Sequence, residues 1–422
     1  MSLLRFVHAA DLHLDSPFTG LTRVAPDIAS YLRDATFRAY DGIIDLCLRE
    51  KVDALLVAGD VYDSADRSLR AQLKFVDGLR RLDDAGIRSF VCHGNHDPLD
   101  GWQARLSFPP GCHRFGAKVE GVPFDLVASD RAIVYGVSYP RRDVRESLIP
   151  RFPIPKSGVF SIGLLHCNVD GNTEHDSYAP CTTDDLAATG IDYWALGHVH
   201  NRKVLRQEGP TVVYPGNPQG RHPKEVGARG VYVVDVSESG TVSLEFQAVD
   251  SVRWENVDLS INGLETEQDL LNLIRDRMER ATQHADGRHL IYRVEIHGYG
   301  PLHHSLRRPG FVDDITEHIN EWWVDQAPFV WCEHVHVTTT VPFDREERSQ
   351  AADFMGDLLR LIDETRSDDD GLDRLSTELQ ALFTHARVKR YLRDFVPSRE
   401  DIRALLIEAE TRCVQELIEE AT

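Results

Sequence analysis

Cysteine is scarce in this sequence and shows no pairing pattern. Seven occur in 422 residues, an odd number with no Cys-x-x-Cys spacing, which argues against both a disulfide framework and a zinc knuckle. Long apolar runs are missing too: no stretch approaches 18 continuous apolar residues, and the brief run before Asp11, with the single Arg5, falls far short of a signal peptide. Reduced thiols and no membrane segment predict a soluble, cytoplasmic protein without a membrane partner. The third shortage is positive charge. Lys and Arg total 47 against 68 Asp and Glu, a net charge of −21, which argues against broad attraction to nucleic acid or anionic lipid. Any polyanionic substrate must be drawn locally. The deficit is −6 over residues 1–250, −7 over 251–340 and −8 over 341–422, so the first stretch is the least acidic per residue.

A chain of this length predicts two or three domains. The β-like run Phe6–Ala9, an amphipathic stretch from Pro26 to Glu50, the apolar run Ala54–Ala58, a second amphipathic helix near Arg67 to Ala85 and the strand Ser89–Cys92 read as β-α-β-α-β. That order implies parallel strands in a layered α/β domain. From about Arg131 strands dominate, predicting a second sheet packed on the first. Residues 251–340, with a helix near 265–285 and a strand at 290–296, read as a small α+β module. Residues 341–422 are helical and charged, with the acidic break Asp368-Asp369-Asp370-Gly371 between the first two helices. Such a tail either closes on itself or docks on a partner helix, and docking is favoured. The expected domains are therefore 1–250, 251–340 and 341–422.

Five segments end strand-like runs in metal-binding side chains: Asp11-Leu12-His13, Gly59-Asp60, Gly94-Asn95-His96-Asp97, His166 and Gly197-His198-Val199-His200. Taken singly, Asp11 or Asp60 suits a turn or cap, and His166 suits a satisfied core histidine. Core packing gives no reason for oxygen- and nitrogen-bearing side chains to cluster at successive strand ends. A pair of divalent cations does, because it needs a bridging carboxylate, for which Asp60 is suited, flanked by imidazoles and neutral oxygens. The mixed O/N donor set Asp11, His13, Asp60, Asn95, His166, His198 and His200 suits manganese, iron or zinc better than calcium or magnesium. His96 is expected to face the substrate, where it stabilises charge at phosphorus and assists the leaving alkoxide, with Asp97 orienting it.

These blocks, with His8-Ala9-Ala10-Asp11-Leu12-His13-Leu14-Asp15-Ser16-Pro17-Phe18, Ala58-Gly59-Asp60-Val61-Tyr62-Asp63 and Pro215-Gly216-Asn217-Pro218-Gln219-Gly220-Arg221-His222, resemble the calcineurin-like metallophosphoesterase superfamily. Within it they are similar to the bacterial SbcD and YhaO group of DNA repair exonuclease subunits, the YhaO type most of all. The resemblance in motifs covers about residues 1–250. It implies a two-sheet α-β-β-α sandwich with a small α+β capping domain and a helical C-terminal region. It assigns Asp11, His13, Asp60 and His200 to one metal, Asp60, Asn95, His166 and His198 to the other, and the transition-state role to His96. It also implies two divalent ions, most often Mn2+, a homodimer, DNA as substrate, and helices docking on the coiled coil of an SMC-like ATPase. Some relatives carry a histidine three residues after the bridging Asp, where this chain has Asp63.

The expected reaction is in-line attack of water on a phosphodiester, with the cations acidifying the water and neutralising the phosphate. Arg221 and His222 are expected substrate contacts. Arg141, Arg142 and Arg145 form a basic cluster that either touches the backbone or is a solvated surface run, and His175 and Tyr178 lie in a polar loop after His166. The leading expectation is a DNA exonuclease or endonuclease subunit acting in repair. The alternative is a phosphatase or phosphodiesterase for a small nucleotide or phosphoprotein on the same metals. A catalytically lost scaffold is disfavoured because every expected ligand type is present.

Overall fold

The computed structural model describes residues 2–21, 25–63, 68–126, 129–171, 176–323, 326–340, 345–384 and 398–421. In chain order the strands are β1 (Ser2–Ala9), β2 (Ala54–Ala58), β3 (Arg88–Cys92), β4 (Cys112–Arg114), β5 (Glu120–Leu126), β6 (Ser129–Gly136), β7 (Phe160–His166), β8 (Tyr193–Gly197), β9 (Lys203–Arg206), β10 (Thr211–Tyr214), β11 (Gly230–Ser237), β12 (Val242–Ala248), β13 (Val252–Ser260), β14 (His289–Tyr299) and β15 (Val330–Thr340). The helices are α1 (Pro26–Arg33), α2 (Ala35–Glu50), α3 (Leu69–Asp84), α4 (Thr183–Ala188), α5 (Glu267–His284), α6 (Leu302–Leu306), α7 (Phe311–Glu321), α8 (Arg345–Ser349), α9 (Phe354–Ser367), α10 (Asp369–Thr384) and α11 (Arg399–Ala421).

The first sheet runs β12-β11-β1-β2-β3-β4 and the second β5-β6-β7-β8-β10-β9, with β13-β14-β15 forming a third. In the first, β1, β2, β3 and β4 are parallel neighbours, as the β-α-β-α-β pattern predicts. In the second, β6, β7, β8 and β10 are parallel. Alternation along each strand sorts side chains between two faces. Val7, Leu55, Val57 and Val91 pack against Tyr40 and Ile44 of α2 and Phe75 and Leu79 of α3. Their neighbours Phe6, Leu56, Ala58 and Phe90 face the second sheet and meet Phe124, Ile162, Leu164 and Tyr193. The opposite face of the second sheet packs Leu165, Trp194 and Leu196 on Leu186 of α4. The result is the α-β-β-α sandwich of an α/β fold. His8 sits in the seam between the sheets, bonding Tyr193 Oη at 2.9 Å and the Leu196 carbonyl at 3.2 Å. Burial pushes its pKa down to about 3, so it bridges as a neutral ring.

The sheets approach closely at the ends of β2 and β8. A Cβ on Gly197 would lie 1.8 Å from the Ala58 carbonyl oxygen, and backbone cannot yield as a flexible side chain can. Gly197→Ala is therefore expected to destabilise the fold at or above the upper end of the about 1–3 kcal/mol typical of overpacking. Urea unfolding should show it, and an unchanged midpoint would contradict this close approach.

Several elements differ from the sequence reading. The Pro26–Glu50 stretch is two helices separated at Asp34, whose N–H turns back to Tyr31 O and whose carboxylate takes Arg70 at 2.5 Å. The short or polar strands β4, β5 and β9 were not anticipated. All three lie at sheet edges, where one-sided pairing asks for little hydrophobic signal. The acidic break is confined to Asp368, because Asp369 and Asp370 form the first turn of α10, a favourable place for negative charge.

The chain divides into two compact units, Met1–Val257 with Arg277–Val294 and Thr316–His334, and Asp258–Asp276 with Glu295–Ile315 and Val335–Thr422. In the first, Ile28 and Leu32 of α1 pack with Trp254, Ile291 and Phe329. In the second, α9, α10 and α11 pack on one another. Arg345 ties Asp363 to Glu410, and Arg399 holds Asp369 and Asp373. The described helices of the tail thus pack on one another, while Phe354 and Leu361 stay exposed. Among the described residues no helix is long and apolar enough to cross a membrane.

Candidate metal centre

The carboxyl ends of β1, β2, β3, β7 and β8 meet at one edge of the sandwich, the place where parallel α/β sheets present ligand-binding loops. Backbone bonds from Asp11 N–H to Gly59 O (3.1 Å), His13 N–H to Asp60 O (3.0 Å) and Cys167 N–H to Gly197 O (3.2 Å) lace the turns together. Asp11, His13, Asp60 and His198 all hold positive φ, at 53°, 42°, 49° and 104°. Side chains other than glycine rarely adopt this region, and such strain concentrates at functional sites.

These turns gather the predicted residues. Ligand atoms of Asp11, His13 and His200 lie within 4.8 Å of one another, as do those of Asp11, Asp60 and His166, so Asp11 is common to both groups. Asn95 Oδ1 is 3.0 Å from His166 Nε2, and Asp60 Oδ2 is 3.2 Å from the same nitrogen. The His198 ring lies edge-on to His166 with centroids 5.2 Å apart. The glycine before Asn95 is required sterically: a Cβ on Gly94 would come within 2.4 Å of Asp60 Oδ1 and 2.7 Å of the His166 ring.

Every one of the four imidazoles has one nitrogen fixed by an acceptor. His13 Nδ1 meets Asp63 Oδ1 at 3.0 Å, His200 Nδ1 meets Glu225 Oε1 at 2.6 Å, His166 Nδ1 meets the Ala58 carbonyl at 2.9 Å and His198 Nε2 meets the Asp176 carbonyl at 2.8 Å. Donation there turns the opposite nitrogen into the site, the arrangement by which histidine ligands are oriented. Two such nitrogens, Nε2 of His13 and Nε2 of His200, then face each other at 3.2 Å. Two ring nitrogens at this distance need a proton on one of them or a cation between them. His166 Nε2 points at the Asn95 and Asp60 oxygens with a proton that an incoming cation would replace. The donor set fits divalent cations on this ground.

The electrostatics agree. Burial opposes the charge of Asp60, but His166, then His96 and His13, hold its carboxyl well below the usual range. Asp11, where burial dominates, is raised to about 6. Burial also works against charged His166, yet Asp60 and Asp11 lift it to about 9. His13 is lowered to about 4 by burial and then by the nearby Arg221 charge.

Asp97 does not orient His96. Its carboxylate is fully buried and accepts from His93 Nδ1 (2.8 Å), Gly94 N–H (2.7 Å) and Val61 N–H (2.9 Å), which makes it a brace for the turn beneath the ligands. Adjacent residues on the turn project to different sides, and the partner of His96 Nδ1 is Asp63, at 2.5 Å. Asp63 also receives Ser16 Oγ at 2.5 Å and Arg221 Nη1 at 3.1 Å. Arg221 is therefore beside the site. His222 bonds within its own loop, its Nδ1 accepting from Lys224 N–H and its N–H donating to Glu225. His175 lies outside the described residues. Sequence reading missed Asp63 as a partner, Glu225 and His93; for Glu225 the only signal is a carboxylate four residues after Arg221 in the Gly220-Arg221-His222 loop.

A family model described as calcineurin-like phosphoesterase matches residues 4–202, and one described as metallophosphoesterase YhaO, middle domain, matches residues 254–340. The chain is 35% identical over 413 residues to a protein named uncharacterized metallophosphoesterase YhaO from Bacillus subtilis (strain 168), covering 96% of each. It is 30% identical over 234 residues to the DNA double-strand break repair protein Mre11 of Aeropyrum pernix, covering 50% of this chain and 53% of that one. It is 24% identical over 316 residues to a subunit of the nuclease SbcCD from Bacillus subtilis (strain 168), covering 64% and 77%.

Proposed function

Because the chain belongs to the calcineurin-like phosphoesterase family, whose members are metal-dependent phosphoesterases with dinuclear centres, we propose that it is a DNA nuclease subunit cleaving phosphodiester bonds at the β-strand edge described above. The facing ring nitrogens of His13 and His200, beside the Asp60–His166–Asn95 cluster, carry this reading. Asp11, His13, Asp60 and His200 would hold one ion, and Asp60, Asn95, His166 and His198 the other. Asp60 is the bridge in this assignment, since it lies within the electrostatic reach of both His166 and His13. The mixed O/N donors suit manganese, iron or zinc, and manganese is the proposed ion because the resemblance to the SbcD and YhaO group implies it. Bound there, the ions supply positive charge opposite the phosphate and acidify the attacking water.

His96 works from the chain's side. Burial opposes its charge, but the hydrogen bond to Asp63 and the charges of Asp60 and Asp63 raise its pKa, so the donor form persists to higher pH. A donor imidazole there stabilises charge on the phosphoryl oxygens and protonates the leaving alkoxide. Asp63 orients it and Arg221 together; Asp97 braces the turn. We also propose that residues 1–250 form the catalytic domain, 251–340 a cap and 341–422 a docking region for an SMC-like ATPase, in a cytoplasmic homodimer acting in DNA repair. The names of the Mre11 and SbcCD relatives support DNA as substrate. The deciding assay compares labelled linear duplex, single strand and an aryl phosphodiester, with manganese and with chelator. Manganese-dependent cleavage of DNA supports the proposal; turnover of the aryl ester alone supports a small-substrate phosphodiesterase.

Metal affinity should depend on pH with a definite sign. His166, raised to about 9, carries a proton at neutrality that an incoming cation must displace, so affinity falls as pH falls below that value. The expected release is about one proton per pair of ions near neutrality, rising below about pH 6 as Asp11 also protonates. Calorimetric titration with manganese in buffers of different ionisation enthalpy measures it, and pH-independent binding would contradict the assignment of His166.

A further inference from the structure

The connection from β10 to β11, residues 215–229, contains no helix or strand, so its conformation rests on individual contacts. Its first part is anchored on backbone: Asn217 N–H donates to His200 O at 3.1 Å, and the buried Gln219 side chain bonds Val252 O at 2.6 Å and Ser251 N–H at 2.9 Å. Residues 221–225 are held differently. Glu225 Oε2 accepts from the backbone N–H groups of Arg221 (2.7 Å) and His222 (3.2 Å), while Glu225 Oε1 meets His200 Nδ1 at 2.6 Å. Arg221 reaches with Nη1 to Asp63 Oδ2 at 3.1 Å, and Asp63 Oδ1 meets His13 Nδ1 at 3.0 Å. A further tie is backbone, from Thr19 N–H to Arg221 O at 2.9 Å.

These contacts make a ring with one gap. His13 and His200 turn their Nε2 atoms toward each other at 3.2 Å, and from their outer nitrogens the path runs through Asp63, Arg221 and Glu225, Arg221 touching both carboxylates. A cation between the two imidazoles closes the ring. Each imidazole then fixes its carboxylate, and the two carboxylates together fix residues 221–225. The side chains of Asp63, Arg221 and Glu225 are each at most 15% exposed, so salt screens these contacts little. Asp63 carries a second duty, since its Oδ1 also meets His96 Nδ1. The loop and the imidazole assigned to the leaving group therefore share one carboxylate.

We propose that Arg221 and Glu225 are positioning residues that tie residues 221–225 to the ion held by His13 and His200, so that metal occupancy orders this loop beside the site. The inference rests on the dinuclear reading above. Coupling of this kind is reciprocal: the loop tightens the grip on the ion by the factor with which the ion steadies the loop.

The test is backbone hydrogen exchange on the full chain with and without manganese, read at Arg221 and His222, whose amides donate to Glu225. The turn between β11 and β12 serves as reference. Manganese should slow exchange at residues 221–222 at least about fivefold more than in that turn, the low end of coupling between linked sites. Glu225→Gln offers its one oxygen to His200 or to the loop amides but not to both. The manganese effect should then vanish, and one of the two ions should bind about 10–100-fold more weakly, the range for loss of an outer partner of a ligand. Arg221→Gln cuts the ring at Asp63 and should shrink both effects, and Arg221→Lys, which keeps a cation beside Asp63, should restore part of them. Variants whose exchange quickens equally with and without metal would reveal a merely structural contact and overturn the proposal. So would a wild type that binds two ions with no selective slowing at residues 221–222, and in either case the metal centre stands. A wild type that binds no manganese would overturn both.

Discussion

His96→Ala will leave two divalent ions bound per chain and lower cleavage of an unactivated phosphodiester by about 10²–10⁴-fold, almost entirely in kcat. The geometry separates binding from chemistry here. The contact between residue 96 and Asp60 is a backbone N–H to Oδ1 at 2.9 Å, which alanine keeps, whereas the imidazole points to Asp63 and stands 38% exposed toward the open side of the site. Losing the ring removes a donor that acts chiefly in the transition state. A substrate with a good leaving group, such as an aryl ester, needs less protonation of the departing oxygen and should lose less. Metal analysis alongside kinetics on alkyl and aryl esters checks this. Loss of an ion, or an equal rate loss on both esters, would show that His96 serves the ions and not the leaving group.

Asp60→Asn has the larger effect on composition. The substitution keeps the shape but removes the charge that His166, His96 and His13 all lean on, and leaves His166 with less reason to face it at 3.2 Å. We expect at most one ion per chain at micromolar metal, and activity below detection, because a buried site of this kind cannot concentrate two cations without its central anion. The matched variant Asp11→Asn is informative, since Asp11 belongs to both ligand groups. Two ions retained in Asp60→Asn and lost in Asp11→Asn would transfer the bridging role to Asp11.

Much of this site was legible in the sequence because its side chains stand directly at strand ends, and strand ends are where local patterning is most informative. Asp11, Asp60, Asn95, His166 and His200 fall together once parallel pairing aligns β1, β2 and β3 in one sheet and β7 and β8 in the other. What could not be read were contacts between loops. Asp97 follows His96 in the chain and invited a pairing, but the carboxylate that meets His96 is Asp63, brought there from the turn after β2. Glu225 reaches His200 across 25 positions, with no spacing rule to announce it. The edge strands β4, β5 and β9 escaped for the converse reason: exposed on one side, they carry little apolar alternation.

The donors are divided between the two sheets. Asp11, His13, Asp60 and Asn95 follow strands of the first, and His166, His198 and His200 follow strands of the second, with the His166 Nδ1 bond to Ala58 O as a direct protein tie across the seam. Cations held by both groups would therefore act as rivets through the sandwich, so that occupancy and global resistance to unfolding rise and fall together. A core substitution in the seam, far from any ligand, would loosen the grip on metal simply by letting the halves drift.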